Sequence, residues 1–169
     1  MKQEADMKIL RCIAISLTVF ISLAACATSS ATKQNPADEF TFKHRDFDLR
    51  YAWKTLQTDK GVSIDGLIKN VRYTNIDSIE VKVSLLDKSR KVLAEGVAFP
   101  VPQKIQLDDY RNFAVFLKDA KLSEADQIRF LVDYSASDGQ NALSWTSTFT
   151  VKAATGAAIG VGPGTENEW

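Results

Sequence analysis

The sequence has one histidine and two cysteines in 169 residues, too few for a disulfide framework and little for a metal centre. It has no charge excess either, since 21 basic and 21 acidic side chains cancel. Proteins that bind nucleic acid carry a basic surplus to displace phosphate counterions, so nucleic acid is excluded as a main partner. No glycine-rich phosphate loop, dinucleotide fingerprint or Gly-x-Ser-x-Gly elbow occurs, so the residues imply no cofactor and no enzyme. Long hydrophobic runs are missing as well. The longest, residues 12–25, is about 14 residues, whereas a membrane-spanning helix needs roughly 20. What is present is 45% hydrophobic and 25% charged side chains, the composition of one globular domain and not of a disordered chain.

The apolar run is nevertheless informative. It follows Lys8 and Arg11, contains only Ser16, Thr18 and Ser22 as polar residues between Ile13 and Ala25, and ends in Leu23-Ala24-Ala25-Cys26. A basic start, a short apolar core and small residues at its end make a secretory signal. Leu23-Ala24-Ala25-Cys26 resembles the lipobox of bacterial lipoproteins at all four positions. The resemblance implies a diacylglycerol thioether on the Cys26 thiol and cleavage between Ala25 and Cys26, with a further acyl chain on the new amino group. Two or more chains give stable anchoring, at about 0.8 kcal/mol per buried methylene. Cys12 would leave with the signal and Cys26 would be consumed by lipid, leaving a thiol-free domain with charge near zero. Met7 opens a more usual signal than Met1, without Glu4 and Asp6. Residue 27 is Ala, not the Asp that retains enterobacterial-type lipoproteins in the inner membrane. In a Gram-negative cell this implies the periplasmic face of the outer membrane.

Residues 26–39 read as the lipidated cysteine and a flexible tether, residues 40–152 as the domain, and residues 153–169 as a mobile tail rich in Gly and Ala. Between the flanks the signal has period two. Leu143, Trp145, Ser147, Phe149 and Val151 alternate with Ser and Thr, and Ile128, Phe130, Val132 and Tyr134 form a second stripe. Ile79, Val81, Val83 and Leu85 form a third, and Phe113, Val115 and Leu117 a fourth. These patterns predict half-buried antiparallel strands, with Trp145 in the core phase. Softer candidates are 49–57, 62–71, 92–99 and 105–107, and Ser123 to Asp126 suggests one helical turn. About seven or eight short strands separated by turns predict an all-β, immunoglobulin-like antiparallel two-sheet sandwich, with a small closed barrel as the alternative.

Gly66 to Asn70, the strand from Ile79 to Val83-Ser84-Leu85-Leu86-Asp87, and Lys91-Val92-Leu93 resemble the FxLYD-type domain of bacterial envelope proteins. Val stands here for the family's Phe, Leu86 for its Tyr, and the usual turn glycine is missing from Asp87-Lys88-Ser89-Arg90. The resemblance implies a β-sandwich outside the cytoplasm and supplies no catalytic residues. In physical terms Asp87 suits a turn whose backbone N–H groups need an acceptor, and Asn70 suits a left-handed corner.

The remaining candidates are few. His44 reads as a solvated residue, and Asp108-Asp109 as turn carboxylates with metal binding or hydrolysis as the alternative. Asp46-Phe47-Asp48 lacks the further oxygen ligands of a calcium loop. Tyr51 and Trp53 share one face of a candidate strand; they pack in the core or edge, or else form an aromatic platform for a glycan. The expectation is a non-enzymatic, membrane-anchored module that binds an envelope protein, the alternative being a carbohydrate- or cell-wall-binding module.

Overall fold

The alternating stripes pair into two antiparallel sheets in the computed structural model, which describes residues 35–137 and 141–160. The strands are β1 (Phe42–Arg45), β2 (Leu49–Thr58), β3 (Gly61–Asn70), β4 (Asn75–Leu86), β5 (Val92–Ala98), β6 (Tyr110–Lys118), β7 (Gln127–Ser137) and β8 (Ala142–Lys152). One four-stranded sheet has the order β1-β2-β3-β6 and the other β5-β4-β7-β8. The fold is therefore the expected all-β two-sheet sandwich.

The core lies between the sheets and is built from the period-two positions. Tyr51 and Trp53 of β2, Ile64 of β3, Val81 and Val83 of β4, and Phe130 and Val132 of β7 are all fully buried. The centre is aromatic, with Phe130 stacked on Phe149 at 4.8 Å and Trp53 tilted against Phe130 at 5.0 Å. Gly66 makes room for these rings. It pairs with Trp53 on one side and Phe113 on the other, and a Cβ there would lie 2.2 Å from the Phe113 ring.

Both flanks of the domain differ from expectation. The end of the expected tether is packed: Pro36–Glu39 forms a 3₁₀ turn, capped by Asn35 Oδ1, which accepts from Ala37 N at 3.1 Å. Ala37 is fully buried against Ala52 and Leu67, with Phe40 beside them, on the outer face of the β1-β2-β3-β6 sheet. A methyl is small enough to fit against the sheet surface, so residues 35–39, expected in the tether, pack with the domain. The expected mobile tail is likewise folded back as far as Gly160. Ile159 N donates to Thr150 O at 2.7 Å and Lys152 N to Ala157 O at 2.9 Å, so this stretch pairs with the free edge of β8. The rest of that tail lies outside the described residues.

Smaller differences have local causes. Residues 105–107 are not a strand, and Ile105 makes a single bridge to Ile76. Ser123 to Asp126 is a turn, closed by Ser123 N donating to Asp126 Oδ2 at 2.8 Å. β1 carries no clear stripe, and its four residues are fixed by pairing with Arg50 to Trp53.

Candidate functional site

Two connections and the start of β8 meet at one end of the sandwich, because the flanking strands pair there. Leu49 is opposite Asn70, and Asn75 and Ala142 are both opposite Ser137. The β1–β2 turn therefore lies beside the β3–β4 loop and the start of β8.

Asp46 shapes the first turn, with its N–H donating to Leu49 O at 2.9 Å and its side chain accepting from Phe47 N at 2.7 Å. This leaves Phe47 at the tip, 91% exposed. Asp48 points inward and is only 5% exposed. Its carboxylate accepts from Tyr134 Oη and from the Arg72 guanidinium, both at 2.7 Å, and its carbonyl accepts from Val71 N at 2.9 Å. The Arg72 guanidinium also sits 4.6 Å from the centre of the Trp145 ring, a cation–π contact. Tyr73 follows at the tip of the second loop, 94% exposed.

Asn70 fixes that loop from within. It is fully buried, and its Nδ2 donates to Thr74 O at 2.9 Å and Ile105 O at 3.0 Å, while its Oδ1 accepts from Arg72 N at 2.8 Å. Its role is thus to satisfy three backbone groups, and it is not among the described residues with positive φ.

A second polar chain runs underneath. Tyr51 Oη donates to Ser147 Oγ at 3.1 Å, and Ser147 Oγ in turn donates to Asp46 Oδ2. His44 stacks on Phe149 at 3.9 Å, and burial pushes its pKa down despite the opposing pull of Asp46. Burial holds both phenols above the ordinary tyrosine range, Tyr51 fully buried and Tyr134 also raised by the Asp48 carboxylate it faces. Both remain hydroxyl donors at neutral pH. Serine, histidine and aspartate thus come close together without forming a nucleophilic triad. The Ser147 hydroxyl gives its hydrogen bond directly to a carboxylate, and the histidine ring is packed on a phenylalanine. These groups tie the two loops to the sandwich beneath their exposed tips.

No family model matches the chain, and no curated protein matches it. Among solved structures, the GAE domain of yeast GGA1 is similar over 64% of this chain and 97% of that one, with 10% identity and a TM-score of 0.39. The GAE domain of GGA2p from Saccharomyces cerevisiae is similar over 66% and 96%, with 10% identity and a TM-score of 0.42. A protein from Archaeoglobus fulgidus is similar over 63% and 95%, with 11% identity and a TM-score of 0.34.

The residues expected from sequence are placed as follows. Tyr51 and Trp53 are both fully buried in the core, the first of the two readings, and the alternative glycan platform is corrected: aromatic faces inside a core cannot stack on a sugar. Trp145 is the converse case, expected in the core and 40% exposed, with Leu143 beside it at 57%. His44 is half-buried and stacked, not freely solvated. Asp108 pairs with Lys69 at 2.9 Å and Asp109 with Arg111 at 2.8 Å, which makes both turn carboxylates. Cys26 and Ala25 lie outside the described residues. The exposed tips Phe47 and Tyr73 had a sequence signal, a lone aromatic between polar residues at a predicted strand end, but no periodicity to single them out.

A shallow concavity of about 580 Å³ lies elsewhere, on the outer face of the β1-β2-β3-β6 sheet, between Phe40, Lys54, Leu67 and Asn112. It is continuous with the packing of Pro36 and Phe40 and brings together no catalytic constellation.

Proposed function

We propose that this chain is a lipid-anchored envelope lipoprotein, non-enzymatic, whose sandwich binds another envelope protein through the loop end. The carrying observation is the pair Phe47 and Tyr73, 91% and 94% exposed on loops that the Asp48–Arg72–Tyr134 network ties to the sandwich. Large aromatics placed in water on a pre-organised surface are characteristic anchors of protein interfaces. The anchoring half of the reading is supported by Leu23-Ala24-Ala25-Cys26, and Ala27 favours the outer membrane in a Gram-negative cell. The resemblance to the FxLYD-type domain is supported by Asp87, whose carboxylate accepts from Ser89 N at 2.7 Å and Lys91 N at 2.9 Å.

The test is a photo-crosslinking side chain at Phe47 in the native envelope. One discrete protein should be captured, and capture should fall about tenfold or more when Tyr73 is changed to Ser. Capture of glycan alone overturns the protein-binding reading. A Cys26→Ala variant still found in the membrane pellet overturns the anchoring.

A further inference from the structure

The alternation that buries one face of β2, β3 and β6 turns their other face outward, and that face carries the concavity of about 580 Å³. Strand register brings its residues together. Lys54 is opposite Asp65, Asp65 is opposite Ala114, and Leu67 is opposite Asn112. Tyr110 lies two residues before Asn112 and on the same face of β6. The turn Pro36–Glu39 and Phe40 form the remaining side, held in place by Ala37 on Ala52 and Leu67. Ala114 contributes only a methyl, which leaves the hollow open above its strand.

The lining is amphipathic. Leu67 is an apolar floor, and Phe40 and Tyr110 add aromatic rings. Glu39, Lys54, Asp65 and Asn112 stand around them. Among the described residues the Asn112 amide makes no hydrogen bond, and the Lys54 ammonium pairs with no carboxylate. Lys54 Nζ stands instead over the Phe40 ring, 5.7 Å from its centre, although Asp65 faces it across the strands. Asp65 accepts from Ser63 Oγ at 3.3 Å through Oδ1, and Oδ2 is left over. The hollow therefore offers donors and acceptors that the protein itself does not use.

We propose that this concavity is a binding site for an uncharged oligosaccharide. Its size falls within the range of ligand pockets, about 300–1,000 Å³. Glu39 and Asp65 repel an anion, and Lys54 between them opposes a cation, so the lining selects a neutral ligand. A peptide's main chain finds no partner, because the hollow lies on a sheet face and β3 is paired along both edges. Sugar hydroxyls donate and accept at once, which suits an amide, an ammonium and a carboxylate together. The C–H face of a sugar ring suits the Tyr110 and Phe40 rings and the Leu67 floor. Residues 27–34, next in sequence to this side of the site, are Ala, Thr, Ser, Lys and Gln and contain no ring or long apolar side chain to match that floor. Phe47 and Tyr73 take no part, so the site is independent of what the loop end binds.

Titration of the full chain in sugar-free zwitterionic micelles with chitotetraose, cellotetraose and maltotetraose tests this, read by amide NMR shifts. At least one should saturate with a Kd of about 1 mM or tighter, shifting the Lys54, Asp65, Leu67 and Asn112 amides. Asn112→Ala should raise that Kd about fivefold, and Tyr110→Ala should do the same through lost ring contact. Should Tyr110→Ala misfold, Lys54→Gln, an exposed position, replaces it with the same expected loss. Phe47→Ser should leave the Kd unchanged. Failure of all three sugars to saturate the wild type overturns the proposal, whether the hollow is then empty or filled by the chain itself. Shifts confined to the loop end overturn it too, as does a Kd that the Asn112 and Lys54 changes leave intact. None of these outcomes depends on protein capture at Phe47.

Discussion

Tyr134 Oη donates to Asp48 Oδ2 at 2.7 Å, joining the middle of β7 to a turn 86 residues earlier in the chain. Arg72 reaches the same oxygen at the same distance, so one carboxylate ties two loops to the opposite sheet. Removing a partner leaves a buried charge short of compensation, which is more damaging than the net worth of the pair. Arg72→Met should lower unfolding free energy by about 3 kcal/mol and Tyr134→Phe by about 1–2 kcal/mol, read by urea denaturation. If Arg72→Met is neutral, the loop end is not held by this ion pair.

The histidine supplies a pH signature. His44 has its pKa lowered in the folded state, chiefly by burial. The unfolded chain therefore takes up this proton first as pH falls, at about 6.5. Its contribution to stability is complete above that pH and declines below it, until the folded protein is protonated too. His44→Phe should abolish this component and keep the stack on Phe149. The observable is the difference between the two urea-midpoint profiles from pH 7.5 to 5; parallel profiles would refute the assignment.

Arg90 has a φ of 65° in the turn after β4, where a side chain is disfavoured and a glycine is at ease. Asp87 already satisfies the turn through Ser89 N and Lys91 N, so the Arg90 side chain is not needed to close it. Arg90→Gly should raise stability by about 0.5–1 kcal/mol, seen as an increase in Tm. A lower Tm would show that Arg90 makes contacts worth more than the strain.

Gly66 gives the opposite result. An added methyl would meet the Phe113 ring at 2.2 Å and Ala52 O at 2.9 Å, with an aromatic core behind it. Gly66→Ala should destabilise by about 2–3 kcal/mol. Pairing it with Phe113→Leu should recover part of the loss, and an unchanged deficit in the double variant would place the clash on the backbone alone.

Much of the architecture was legible in the residues. The stripes of β4, β6, β7 and the second half of β8 each predicted a buried face, and each is buried, because hydrophobic alternation is a local property of a strand. β1 was not legible, because four residues with Lys43, His44 and Arg45 carry no such stripe and are defined by their partners on β2. Ala37 was hidden for a related reason: a single methyl in a polar stretch acquires meaning only when Leu67 and Ala52 are beneath it.

The candidate site was less legible still. Trp145 shares its phase with Phe149, yet only Phe149 is covered. His44 lies over Phe149 and Asp46 reaches Ser147, but the chain then turns back at Phe47, so β1 ends before it can cover Trp145. Tyr51 and Trp53 show the reverse, since β2 is flanked by β1 and β3 and faces a full second sheet.

The sequence by itself determined the class of fold and the faces of most strands, both of which depend on composition and local alternation. Tertiary structure alone decided which aromatics reach water, because exposure depends on where a facing strand stops. The scarcity of cysteine and histidine and the balanced charge were plain from composition, while the aromatics left exposed at the loop tips were selected by the ends of the sandwich.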